Sequence, residues 1–238
     1  MHLTVQNLVN IKAEINSNLS NQKNHKVPKF IAVSKTFSMD KITPLIEYGH
    51  LDFGENKVQE AMKKWSDIKL SKSNLKLHLI GGLQTNKVKY AVKLFDNIHS
   101  VDSEKLAKKI SEEQDKQNKK VKVFVQVNIG NEDQKFGVDK LLVPELCYYC
   151  KTLDLQVVGL MCIPPLNEPS EIYFKEMSDL NKKLNFKELS MGMSSDYLNA
   201  IKNSATYVRI GSNIFLSLIH ISEPTRRRGI SYAVFCLK

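Results

Sequence analysis

No stretch of this 238-residue chain holds the roughly 18 consecutive apolar residues that a membrane-spanning helix needs. Nor does the N-terminus read as a secretory signal. Leu8, Ile11, Ile15 and Leu19 recur at helical spacing, and Lys12 and Glu14 interrupt any continuous apolar segment. The cytoplasm is therefore the expected compartment. Cysteine is scarce, at four residues, which argues against a disulfide framework and fits a reducing environment. Cys147 and Cys150 form one C-x-x-C pair, but no second pair or neighbouring histidine completes a zinc site. The pair falls inside a helical stretch, whereas a redox pair opens a helix, so both read as core thiols. Acidic residues are outnumbered 25 to 35, for a net charge of +10. The lysines are dispersed over many predicted helices, which points to a solvated basic surface rather than a nucleic-acid face. Such a surface would attract an anionic small molecule. The one dense run, Arg226-Arg227-Arg228, lies in the last stretch of the chain, Leu216–Lys238. No G-x-G-x-x-G follows any apolar run, which removes the main signature of a dinucleotide-binding sheet.

What is present is a regular alternation. Candidate strands are Phe30–Ser34, Leu51–Gly54, Lys76–Gly81, Asn97–Val101, Lys122–Asn128, Gln156–Cys162, Glu188–Met193 and Tyr207–Ile210. Candidate helices fill the gaps, with Ser38 or Asp40, Ser103, and Ser195-Asp196 as capping chemistry. Eight strands alternating with helices predict an α/β protein with a parallel sheet, and eight is the number that closes a (β/α)8 TIM barrel. The leading helix, Thr4–Ser20, is expected outside the barrel or across its bottom. No linker rich in Pro, Gly or Ser divides the chain, so one barrel domain over 1–215 is expected.

In such a barrel, function gathers at the C-terminal ends of the strands. Lys35 closes the first apolar run. A lysine at the end of a buried strand is expected to be partly desolvated, which lowers its pKa and yields the neutral amine that attacks an aldehyde. The seventh and eighth strands end in Ser190-Met191-Gly192-Met193-Ser194 and Arg209-Ile210-Gly211-Ser212. Backbone N–H groups and hydroxyls in such loops can cradle a phosphate, and barrels commonly place one there. The first and eighth strands are neighbours in a closed barrel, which brings Lys35 near Arg209. An amine, a phosphate cradle and a guanidinium suit an aromatic aldehyde phosphate, for which pyridoxal 5′-phosphate (PLP) is the obvious candidate. His78, on the third strand, reads as a core histidine with a satisfied ring.

These stretches resemble the YggS/PROSC family, the pyridoxal-phosphate-binding homeostasis proteins. The resemblance is carried by Ala32-Val33-Ser34-Lys35, Phe53-Gly54-Glu55-Asn56 with Gln59-Glu60, and His78-Leu79-Ile80-Gly81 with Leu83-Gln84-Thr85-Asn86-Lys87. It continues through Val127-Asn128, Lys135-Phe136-Gly137, Gly159-Leu160-Met161, Leu189–Ser194 with Asp196, and Val208–Ser212 with Ile214-Phe215. It implies a fold-type III barrel like the N-terminal domain of alanine racemase, with PLP held as a Schiff base on Lys35. It further implies that Ser194, Gly211 and Ser212 hold the phosphate, that Ser190 and Gly192 shape that loop, that Arg209 faces the pyridine nitrogen, and that Asn56 lies beside the ring. An arginine at the ring nitrogen disfavours its protonation and weakens the electron sink.

The role implied is to buffer PLP and deliver it, with apo forms of PLP enzymes as recipients and without established catalysis. A racemase needs a second acid–base group on the opposite face of its substrate, supplied in relatives by a β domain this chain is too short to carry. The open mouth that results points to a monomer. Competing readings are a fold-type III PLP enzyme such as an amino-acid racemase or decarboxylase, a cofactor-free Schiff-base aldolase using Lys35, and a charge-based nucleic-acid regulator. Two departures stand out. Leu77 replaces the aromatic residue common in the family, and the chain from Leu216 onward, in place of a glycine and short tail, reads as a non-native extension or a frame change.

Overall fold

Runs of alternating inward and outward residues build the wall of the structure. The computed structural model describes residues 1–19, 27–132 and 136–216. In chain order the elements are α1 (Leu3–Leu19), β1 (Lys29–Val33), α2 (Met39–Glu47), β2 (Asp52–Glu55), α3 (Val58–Ser71), β3 (Lys76–Leu79), α4 (Val88–Leu94), β4 (Asn97–Val101) and α5 (Glu104–Gln117). They continue with β5 (Lys122–Asn128), β6 (Val138–Asp139), α6 (Val143–Thr152), β7 (Gln156–Cys162), α7 (Ser170–Lys183), β8 (Glu188–Ser190), α8 (Tyr197–Lys202), β9 (Tyr207–Ile210) and α9 (Ser212–Phe215).

The strand order is β4-β3-β2-β1-β9-β8-β7-β5, and β4 also pairs with β5, so eight parallel strands close on themselves. This is the expected TIM barrel. Between β9 and β1 the register is Lys29↔Tyr207, Phe30↔Val208, Ile31↔Arg209 and Ala32↔Ile210. The two-residue β6, absent from the expectation, is an extra parallel rung on the end of β5. Four of the eight barrel strands keep their predicted limits. The seventh predicted strand stops early, at Ser190, because the chain turns at Gly192 with φ +89.

Apolar packing falls into two compartments. On β1, Phe30 and Ala32 point into the shell between wall and helices, while Ile31 points into the barrel, as the two-residue period of a strand requires. The shell holds the largest buried side chains, among them Trp65, Phe53, Phe95, Phe174 and Phe215. The interior cluster is small: Ile31, Phe124, Met161 and Tyr207. Cys147 and Cys150 lie buried in α6 within the shell, and burial pushes their thiols up to about 11 and about 12. Gly159 lets β7 approach β8, since a Cβ there would lie 1.8 Å from the Glu188 carbonyl oxygen.

The leading helix has a specific seat. Val5, Leu8, Ile11 and Ile15 bury one face of α1, and it packs against α2 and α9. Asn7 Nδ2 donates to the Ile214 carbonyl at 2.9 Å, and Tyr197 of α8 hydrogen-bonds Glu14. With α9 only four residues long, α1 covers the seam between α8 and α2 where an eighth outer helix would lie. Most of the segment from Leu216 onward, residues 217–238, lies outside the described residues, as does Lys135.

Candidate functional site

The C-terminal end of β1 breaks abruptly. Ser34 is fully buried, Lys35 is exposed, and Thr36 adopts φ +63. A β-branched residue with positive φ is strained and needs compensating contacts. Glu60 Oε1 accepts the Thr36 N–H at 2.8 Å, and the Thr36 hydroxyl donates to the Lys35 carbonyl at 2.6 Å. Beneath the turn, Glu55 Oε1 accepts from Ser34 Oγ (2.8 Å), Lys64 Nζ (2.9 Å) and Trp65 Nε1 (2.9 Å). Lys64 also donates to the Ser34 carbonyl at 2.9 Å. The expected desolvation of Lys35 is therefore corrected. Its side chain is exposed because the left-handed turn at Thr36 lifts the backbone off the wall one residue early.

Lys35, Arg209, Ser194, Gly211 and Ser212 line one cavity of about 440 Å3, together with Phe37 and Met193. This volume lies in the range of small-molecule sites, about 300–1,000 Å3. Ser194 and Gly211 meet directly, the Gly211 N–H donating to Ser194 Oγ at 3.3 Å. Asn213 Nδ2 donates to the Ser194 carbonyl at 3.0 Å, and Asp196 Oδ1 accepts the Met193 N–H at 2.7 Å. Asp196 therefore secures the loop before α8 rather than capping that helix. A Cβ on Gly192 would lie 2.5 Å from Ala200 Cβ, so this glycine lets the loop pass close over α8. A Cβ on Gly211 would press to within 3.2 Å of the Val33 carbonyl oxygen.

Arg209 is almost fully buried, and that burial pushes its pKa down. Its Nη1 donates to Ser190 Oγ at 2.7 Å and its Nη2 to the Cys162 carbonyl at 2.8 Å. Ser190 thus sits beneath the cavity as a support for Arg209. Asn56 is not brought into this cavity. It lines a second one of about 570 Å3, beside Gly81, Gln84, Lys87 and Asp102. His78 lies buried in the barrel interior with both ring nitrogens bonded, as expected for a core histidine. Glu60 and Thr36 are residues that sequence reasoning left without a role. Only the positive φ, which no pattern of residue types signals here, reveals what they do.

An amine, two hydroxyls, a glycine backbone and a buried guanidinium in one mouth define a barrel of the alanine racemase N-terminal domain class. That domain family matches residues 11–218. The chain belongs to the family of pyridoxal phosphate homeostasis proteins. It is 39% identical over 197 residues to the pyridoxal phosphate homeostasis protein of Aquifex aeolicus, covering 79% of this chain and 86% of that one. PipY of Synechococcus elongatus, solved with PLP bound, is 34% identical with a TM-score of 0.74, covering 85% of this chain and 99% of that one. Alanine racemase of Clostridium difficile, at 17% identity and a TM-score of 0.64 over 85% of this chain and 56% of that one, shares the fold. Among the described residues no helix is long and apolar enough to cross a membrane.

Proposed function

We propose that this protein binds PLP covalently through Lys35 and acts in PLP homeostasis, holding the cofactor and releasing it to apo forms of PLP enzymes. The observation that carries this reading is the single cavity lined by Lys35, Ser194, Arg209, Gly211 and Ser212. The donor set fits the cofactor. Lys35 would hold the cofactor through its aldehyde. Ser194, Ser212 and the Gly211 backbone would hold the phosphate, and Arg209 would lie at the ring nitrogen. Bound PLP supplies an electron sink, which a cationic arginine at that nitrogen weakens. Ser190 and Gly192 shape the phosphate loop, and Asn56 borders the ring from the neighbouring cavity. The relative PipY has been solved with PLP bound, at 34% identity.

The protein acts without turnover in this reading. Besides Lys35, none of the described residues lining the cavity is a histidine, tyrosine, cysteine or carboxylate that could serve as a second acid–base group. We take residues 1–215 as the PLP-binding barrel domain; the family match spans residues 11–218. A monomer in the cytoplasm completes the proposal. Its cysteines support a reducing compartment, since Cys147, Cys150 and Cys162 are all free and buried.

The test is spectroscopic. Purified protein mixed with PLP should gain an absorption band that borohydride abolishes, leaving a pyridoxyl group on Lys35 by peptide mass. Lys35→Ala should remain folded and gain no band. A protein that stays colourless in excess PLP refutes the reading.

A further inference from the structure

The barrel interior contains a polar chain that the cavity does not account for. From Arg209, Nη1 reaches Ser190 Oγ at 2.7 Å, and Ser190 Oγ reaches His99 Nδ1 at 3.0 Å. His99 Nε2 lies 3.0 Å from His78 Nδ1, and His78 Nε2 lies 2.9 Å from Asp52 Oδ1. Ser190, His78, His99 and Arg209 are all buried, whereas the Asp52 side chain keeps about 26% of its exposure. Asp52 opens β2 at the N-terminal end of the barrel, so the chain crosses from the mouth to the opposite end.

The two ends, given one proton on each ring, fix the direction of every bond. Arginine can only donate, and a carboxylate can only accept. With one proton on each ring, His78 Nε2–H donates to Asp52, His99 Nε2–H donates to His78 Nδ1, and the Ser190 hydroxyl donates to His99 Nδ1. All three intermediate dipoles then turn their negative ends toward Arg209 and their positive ends toward Asp52. Such an aligned run is mutually polarising in a low-dielectric interior. It also answers a problem of charge. A buried guanidinium needs compensation, yet the salt bridges among the described residues do not include Arg209, and Asp196 acts on it only from beyond ion-pair distance. Burial, with His78 as the next cause, keeps His99 neutral, as its place in the chain requires.

We propose that Ser190, His99, His78 and Asp52 are positioning residues for the cofactor site. They orient the Arg209 guanidinium from behind and link it to a carboxylate at the far end of the barrel. This inference rests on the reading that Arg209 faces the PLP ring. It adds that the site extends through the barrel to Asp52, and that changes at Asp52 register at the bound cofactor. Coupling runs both ways, so bound PLP also alters the histidine rings.

The experiment uses the full chain and PLP. Asp52→Asn keeps the side-chain shape and removes the charge. It should still yield the borohydride-trapped Lys35 adduct, while the visible band of bound PLP shifts and affinity falls about fivefold. Asp52→Glu should recover part of that loss. Glu188→Gln, beside Lys29 at the same end but outside the chain, should keep the parental spectrum and affinity. In the unsubstituted protein, 15N spectra should show protonated Nε2 and bare Nδ1 on both His78 and His99, with both sets of signals moving as PLP is titrated in. This second measurement stands even if Asp52→Asn does not fold. Parental spectrum and affinity in Asp52→Asn, or histidine signals indifferent to PLP, would overturn the inference. A parent protein that fails to take up PLP would instead overturn the cofactor reading beneath it.

Discussion

The two sides of the barrel wall are built from opposite materials. Outside, between the strands and the helices, large apolar side chains such as Trp65, Phe95 and Phe174 fill a continuous shell. Inside, four apolar residues share the space with a buried arginine, two histidines and a serine. The same strands supply both sides. On β9, Val208 and Ile210 serve the shell, while Tyr207 and Arg209 serve the interior. The difference assigns costs. Change in the shell should be felt as lost stability, and change in the interior and at the mouth as lost binding.

The largest stability effect should come from the shell. Trp65 is fully buried, packs on Phe53 and donates to Glu55. Trp65→Ala should cost about 3–5 kcal/mol of unfolding free energy by denaturant titration. A cost below about 1 kcal/mol would break the comparison.

Acid should come next, and it compares two buried histidines. His50 touches Phe30 and Phe53 of the shell, and burial lowers its pKa to about 4. Its folded value is depressed below its unfolded value near 6.5. The unfolded chain therefore takes up the proton first. The stabilisation is complete above that unfolded value and is lost as pH falls from there toward 4. It amounts to about 3 kcal/mol, and His50→Gln should flatten that part of the pH–stability curve. His99, in the interior and also held neutral by burial, acts in the same direction. The comparison sharpens if His50→Gln flattens the acid limb without changing PLP affinity.

Gly192→Ala tests the boundary between the compartments. The position has φ +89, and its Cβ would strike Ala200. A loss of about 2 kcal/mol is expected, together with weaker PLP binding, because the same loop carries Ser194. Unaltered PLP affinity would separate the loop from the cavity. Lys35→Ala should have the smallest effect on stability, within about 0.5 kcal/mol, since the side chain is exposed, yet it should abolish covalent PLP uptake.

Much of the architecture was legible from residue order alone. The alternation of strand and helix signals predicted the closed parallel barrel, and β4, β5, β7 and β9 keep their expected limits. That Lys35, Ser194, Arg209, Gly211 and Ser212 line one cavity was legible because strand ends can be read from sequence and all strand ends converge at one mouth. The interior chain could not be found that way. Its links join residues 19, 21, 26 and 91 positions apart, and the inward facing of His99 depends on register, not on local pattern. The exposure of Lys35 was likewise hidden, because it follows from one left-handed residue, Thr36, for which nothing in the residue type prepares. Asn56 was placed at the correct end of the barrel, yet its side of the mouth opens into a separate cavity.

The seat of α1 has a consequence in time. This helix is synthesised before every strand of the barrel, and the carbonyl of Ile214 that receives Asn7 comes 207 residues later. Until α9 arrives, the leading helix has only α2 to cover part of its apolar flank. The ring can be sealed only by its last-made piece, so a nascent chain halted before β9 would present an unclosed wall and an unmoored helix to the cell's chaperones.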